Sequence, residues 1–306
     1  MVVQQEPAGG VEFQIAHTDL MLYLYEKAMA HQDVIDVSSY GLTSQQVANT
    51  IQALLNCCPE LFFVDRAYGH TSSIAHLSYN MGKTEADEKL NEFYAKVDEY
   101  LSLLNDNMDD FTKALILHDR LVLDHYYQIE TETEYSSGYT FMLDGWGRCE
   151  NYTEVYAYLL AREGIKSEII GYADHEWMMV CLDGQYYHVD VTWDDPYSTA
   201  PIAVDSISNR SDKVRRTFFL LSDTALLADA QHGDGYNNYN KATDTSYDGY
   251  ANLHGNDNLI CYVNGELYTL YENDDNEGVI AVYNPESDTY TDCYLIRDTW
   301  QCYDNI

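Results

Sequence analysis

The sequence predicts an α+β protein, and three observations carry that expectation. Most apolar residues in the first 165 positions fall at spacings of three and four, the period of amphipathic helices. Two-residue turn signals, Asp183-Gly184 and Asn264-Gly265, each join two runs of strand-forming residues, the pattern of antiparallel hairpins. Between those hairpins, residues 231–258 are rich in Gly and Asn and lack apolar periodicity, which reads as a linker. The expected organisation is a flexible lead (1–17), an N-terminal α+β region (18–135), a core (136–230), the linker (231–258) and a small C-terminal all-β appendage (259–306).

Leu20, Leu22, Leu24 and Met29 predict a first helix over Thr18 to Ala30, followed by a short strand at Val34 to Val37. Thr43 and Ser44 can cap a helix over Gln45 to Asn56, which Pro59 ends. Leu61 to Val64 and Ser72 to Tyr79 read as strands around a turn near Gly69. From Thr84 to about Asn105, Leu90, Phe93, Val97, Leu101 and Leu104 line the apolar side of a long charged helix. Asp109-Asp110 can cap the next one, through Leu115, Leu117, Leu121 and Val122. His118 and His125 lie seven apart on it, and on an apolar helix they read as buried, hydrogen-bonded residues rather than metal ligands.

The chemistry is expected between Gly145 and Pro196. Tyr152, Val155, Tyr156, Leu159 and Leu160 form one face of a helix that Gly164 closes at C′, so Cys149 falls in or just before its first turn. Unpaired backbone N–H groups and the positive dipole end there favour a thiolate. If Leu182 faces Gln185 across the Asp183-Gly184 turn, Met179 meets His188, Trp177 meets Asp190 and His175 meets Thr192. His175 and Asp190 then share a face as diagonal neighbours, with Cβ atoms within roughly 7–8 Å. Each residue alone reads more simply as a buried cysteine, a strand histidine or a turn acid. Together they supply a nucleophile, a proton carrier and the carboxylate that orients it, in the order Cys149, His175, Asp190. The Cys149 backbone N–H would form part of an oxyanion hole, with Trp146 a candidate second donor; Trp146 and Trp177 are the candidate substrate contacts, although Trp177 and Trp193 read more simply as residues that pack and pin the hairpin.

Further on, Pro196 to Asp212 reads as a polar loop, Phe218 to Leu221 as one more strand of the same sheet, and Ala225 to Ala230 as a short helix. The tail carries two hairpins, LICYV with ELYTLY and VIAVY with TYTDCYLI. Asn273 to Gly278 is rich in oxygen ligands, but its twelfth position would be Asn284 where a calcium loop needs Glu, so it reads as a turn.

The words of this stretch, G-x-C, a helix ending LL-x-x-x-GI, H-x-W and LDGQYYHVDVTWDDP, resemble the transglutaminase-like superfamily, especially its large bacterial surface and secreted group. CPELFFV and KALILHDRLVLDHYY upstream, and TFFLLSD and DTSYDGY downstream, are similar to that group too. The resemblance implies a papain-like thiol-enzyme core of helices packed on an antiparallel sheet. It implies acyl transfer from carboxamide or peptide bonds through a thioester, by transfer or hydrolysis, without a cofactor or metal, and an extracellular or cell-surface location. It also implies that the two terminal hairpins open a longer β-meander or propeller cut short here. The chain departs from the family at Glu150-Asn151-Tyr152, where Gln-Gly-Tyr is usual, and at His175-Glu176-Trp177-Met178, where His-Ala-Trp-Asn is usual. Those departures, together with 29 Tyr against 8 Phe, support a second reading, a surface binding module with little turnover.

Composition narrows the partners. Sixteen Lys and Arg stand against 51 Asp and Glu, a formal charge of −35, which repels nucleic acid and anionic lipid and favours basic or Lys-rich protein substrates. No apolar run approaches the ~18 residues of a membrane span, and MVVQQEPAGG has no signal-peptide pattern, so an exported form would have lost its export segment. Seven cysteines without paired C-x-x-C motifs argue against structural zinc, and all except Cys149 read as packing residues.

Overall fold

The computed structural model describes residues 18–128, 136–196, 214–228, 232, 240–273, 275 and 277–296. Helix α1 (Thr18–Met29) leads into β1 (Val34–Asp36) and then α2 (Ser44–Cys57), whose start is fixed by a capping box between Thr43 and Gln46. Leu61 to Val64, expected as a strand, instead begins in a 3-10 turn at Pro59–Leu61; proline at its start favours that geometry, and Val64 keeps one bridge to Tyr79. The short strands β2 (Gly69–His70) and β3 (Ile74–His76) join β1 in a sheet of order β1-β3-β2. Helices α3 (Lys83–Leu101) and α4 (Asp110–Asp124) follow, the latter capped by the Asp109 carboxylate on the Thr112 N–H.

Beyond α4, β4 (Tyr126–Tyr127) runs parallel to β5 (Trp146–Gly147), bracketing α5 (Gly138–Asp144). No apolar period announces a helix this short. Gly138 is required there, because a Cβ would lie 2.5 Å from the Pro59 carbonyl oxygen.

Helix α6 (Cys149–Arg162) is the centre of the molecule. It touches α2, α3, α4 and α5 and lies on the antiparallel sheet β6 (Ser167–Tyr172), β7 (His175–Leu182), β8 (Gln185–Val189) and β9 (Phe219–Leu221), paired in that order. Its expected apolar face is buried, but so is the rest of the helix from Asn151 to Leu160. Its polar residues find partners inside: Thr153 donates to the Glu176 carbonyl and Glu154 pairs with Arg66 at 2.6 Å. The β7–β8 register is the expected one, with Leu182 opposite Gln185 and Met179 opposite His188, and both Asp183 and Gly184 have positive φ, as a type I′ turn demands.

The strand ends sooner than the sequence suggested. β8 stops at Val189, and the one-turn helix α7 (Val191–Asp194) takes Thr192 out of register with His175. The cause is local: Asp190 turns its carboxylate onto the Trp193 N–H at 3.0 Å and starts a helix rather than continuing the ladder.

Two short helices, α8 (Asp223–Leu226) and α9 (Ala251–Gly255), precede a four-stranded meander of β10 (Ile260–Val263), β11 (Glu266–Glu272), β12 (Gly278–Asn284) and β13 (Thr289–Ile296). This meander shares its core with the helices: Leu253 of α9, Ile260, Leu267 and Tyr283 belong to the same buried cluster as α4, α6 and β7. The stretch read as a linker therefore sends His232, Ala242, Leu253 and Asn256 into the packed interior, while much of its described remainder stays at the surface. Arg216, fully buried, reinforces the joint by binding both oxygens of Asp119 on α4 and donating to the carbonyls of Asn256 and Asn258. A second cluster lies between α1, α2, β1 and β3, and a third covers the other face of the β7 sheet through Trp177, Met179, Leu221 and Leu226. The proposed lead 1–17, most of the loop 196–212 and Cys302 lie outside the described residues. Among the described residues, no helix is long and apolar enough to cross a membrane.

Candidate active site

Cys149 is the first residue of α6, half-buried, and as N1 its N–H has no acceptor within the helix. The helix start is held by Asn151, whose Oδ1 accepts the Arg148 N–H at 3.0 Å. Gly147 fits against it: a Cβ there would meet Phe141 and Asn151 within 2.9 Å. Arg148, immediately before the cysteine, donates to Glu150 at 2.8 Å, so the carboxylate that departs from the family pattern is paired with a guanidinium.

His175 opens β7, and its Nε2 bonds Asp190 Oδ2 at 2.6 Å. Cys149 lies close enough to this imidazole for its charge to act on it. Burial alone would lower the His175 pKa, but the hydrogen bond to Asp190 and the nearby Asp190 and Cys149 charges outweigh it and raise it to about 10. Burial would likewise raise the Asp190 pKa, yet hydrogen bonds from His175 and His232 hold it below the ordinary carboxylate value. Cys149, His175 and Asp190, expected together from sequence, are brought together. The diagonal strand pairing that suggested it is replaced by a strand end and a cap.

The ring of His175 stacks with two indoles, Trp193 at 5.0 Å and Trp177 at 5.7 Å. Trp177 is only 1% exposed and donates its indole N–H to His188 Nδ1 at 3.1 Å. This corrects the expectation of Trp177 as a substrate contact: with its ring enclosed and its donor used, it supports the imidazole from behind. An indole nitrogen only donates, so His188 must accept at Nδ1 and carry its proton on Nε2, which bonds Asp223 at 2.9 Å. Trp146, half-buried in β5, stays beside the cysteine helix.

His232 is the residue that sequence reasoning missed. It was read as linker, but it is 2% exposed and its Nε2 lies 2.9 Å from Asp190 Oδ2, the oxygen that also holds His175. No periodicity or motif around position 232 signals this. Among the described residues, His175, Asp190 and His232 form a group whose metal-capable atoms all lie within 4.8 Å of one another. His118 and His125 are buried, as expected. His118 bridges Asp119 and Asp194, and His125 stacks on Phe141 at 3.9 Å. Asp194 and Asp195, the neighbouring acids of α7, are engaged elsewhere, Asp194 by His118 and Asp195 by the Tyr152 hydroxyl at 2.6 Å.

A cleft of about 760 Å³ flanks the start of α6 on the side of the N-terminal region, bounded by Phe62, Arg66, Tyr139, Arg148, Glu150 and Glu154.

No family model and no curated protein matches the sequence. Among solved structures, the chain is similar to one described as the crystal structure of a TGase, at 10% identity and a TM-score of 0.31, over 46% of each chain.

Proposed function

We propose that the chain is a transglutaminase-like thiol enzyme with a papain-like core, which transfers acyl groups from carboxamide or peptide bonds of proteins or peptides through a thioester. The observation that carries this reading is the 2.6 Å hydrogen bond from His175 to Asp190, with Cys149 near the same imidazole at the first turn of a buried helix. In the proposed reaction the Cys149 thiolate attacks the carbonyl carbon and forms a C–S bond. The His175 imidazolium gives its proton to the leaving nitrogen as the C–N bond breaks. An acceptor amine, or water, then attacks the thioester, His175 takes its proton, and the C–S bond breaks to restore the thiolate. The backbone N–H at Cys149 stabilises the oxyanion of each tetrahedral intermediate.

A charge of −35 favours basic, Lys-rich acceptors, and an extracellular or cell-surface setting fits the resemblance read from the sequence. No cofactor or metal is needed by this chemistry. The alternative is a binding module that has lost turnover. It draws on Glu176, which carries a buried Oε1 with no hydrogen-bond partner among the described residues and stands close enough to Cys149 to feel its charge. Burial, then Glu154 and Cys149, push the Glu176 carboxyl well above the ordinary range.

The test is alkylation of Cys149 by iodoacetamide across pH, followed by intact mass and peptide mapping, alongside turnover of glutamine peptides. An enzyme should alkylate at Cys149 far faster than at the exposed Cys261 and Cys293 at pH 6, where an ordinary thiol of pKa ~8.5 is almost wholly protonated. Cys149→Ala should abolish turnover and change stability by less than about 1 kcal/mol. Reactivity at Cys149 no greater than at Cys261 would leave the binding module.

A further inference from the structure

We infer that His232 is a positioning residue for the Cys149–His175 pair, acting through Asp190; the inference rests on the acyl-transfer reading above. Asp190 is 1% exposed and has three donors. Its Oδ1 takes the Trp193 N–H at 3.0 Å, and its Oδ2 takes His175 Nε2 at 2.6 Å and His232 Nε2 at 2.9 Å. A carboxylate oxygen offers two lone-pair directions, so His232 fills the one that His175 leaves. With Oδ1 also tied to the backbone, the carboxylate plane cannot turn, and only one direction remains open to the His175 imidazole. Without His232, a buried oxygen would hold one donor, the anion would cost more, and the group could rotate away from His175.

The aromatic surroundings give this second imidazole a fixed seat. Its ring centroid lies 4.0 Å from Trp193, 5.0 Å from Phe218 and 5.2 Å from Trp177. Two of these rings are the ones stacked with His175, and Trp177 is itself anchored through His188 to Asp223. The seat and the triad thus share walls, and the donor arrives from a part of the chain remote from both the hairpin and α6.

Three substitutions separate donation from packing. His232→Gln places an amide N–H where imidazole Nε2 reaches, His232→Asn places one only at the Nδ1 position, and His232→Phe fills the aromatic seat without a donor. The Cys149 alkylation rate from pH 4 to 10 should stay within about threefold of wild type in the Gln variant and fall about 10- to 100-fold in the Asn and Phe variants. In those two, the acidic limb should move up by about one pH unit or more, because Asp190 has lost a hydrogen bond that favours its anion. A Phe or Asn variant that folds and keeps wild-type rate and limb overturns the proposal, as does a folded Gln variant as slow as Phe. Near-stoichiometric zinc in purified wild type, lost on His232→Gln together with reactivity, overturns it in favour of a metal ligand. If wild-type Cys149 shows no enhanced reactivity, the acyl-transfer reading falls by itself. The positioning is then decided by the low-field proton resonance of His175 Nε2–H, expected to persist in Gln and to be lost to exchange in Phe and Asn; its survival in all three overturns the inference.

Discussion

Asp190 and Glu60 are both buried carboxyl groups beside helix α6, and their surroundings drive them in opposite directions. Asp190 receives three donors and is held below the usual carboxylate range. Glu60 receives one tyrosine hydroxyl, from Tyr25 at 3.3 Å, its Oε2 has no partner among the described residues, and burial raises its pKa to about 7. Glu154, raised by burial to about 7 despite its pairing with Arg66, stands with Glu60. Burial is common to all three, so the number and geometry of donors decide whether the acid stays charged. On one side of α6 the fold maintains an anion against an imidazole; on the other it accommodates carboxyl groups that give up their charge near neutrality.

The largest expected effect comes from breaking the donor-rich side. In Asp190→Asn, the amide cannot accept from Trp193, His175 and His232 together, because its NH2 must face at least one of those donors. Alkylation of Cys149 and any peptide turnover should fall by about 10³- to 10⁴-fold while the melting curve stays cooperative. A wild-type rate in the folded variant would remove Asp190 from the site. Next comes Arg216→Met, which leaves the Asp119 carboxylate, 1% exposed, without its guanidinium. Urea denaturation should show a loss of about 3–5 kcal/mol, the usual cost of breaking a buried pair from one side. A loss under 1 kcal/mol would mean that His118 alone satisfies Asp119 and that donor counting overstates the difference between the two flanks.

Those flanks were unequally legible in the sequence. The helix start at Cys149, the Asp183-Gly184 turn and the β7–β8 register follow from local periodicity and turn chemistry, and these placed His175 and Asp190 near the thiol. The partners that complete the site are non-local. His232, His188, Asp223 and the stacking of Trp193 depend on how chain segments far apart in sequence meet, and none leaves a periodic trace. Asp190 misled for a local reason: in a run of alternating residues it reads as strand, whereas its side chain caps a helix. The same limit hid the shared core of the C-terminal meander, whose Leu267 and Tyr283 fall in two separate hairpins when read from sequence.

The smallest effect sharpens the donor-poor side. Glu60 has an ordinary value of 4.5 and about 7 in the fold, so between those pH values the folded protein holds a proton that the unfolded chain has released. Its contribution to stability is therefore greatest below pH 4.5, declines as pH rises, and is lost above about 7, a change on the order of 3 kcal/mol at most. Lowering pH also relieves the repulsion within a chain of charge −35, so wild-type stability alone cannot assign the effect. Glu60→Gln isolates it, since the amide keeps the shape of the neutral acid and cannot ionise. Urea midpoints of variant and wild type should differ least at pH 4.5, and the variant should gain steadily up to about pH 7 and level off above it. A difference that stays constant from pH 4.5 to 8 would show that Glu60 keeps its charge inside the fold, and that one tyrosine hydroxyl suffices where Asp190 has three donors.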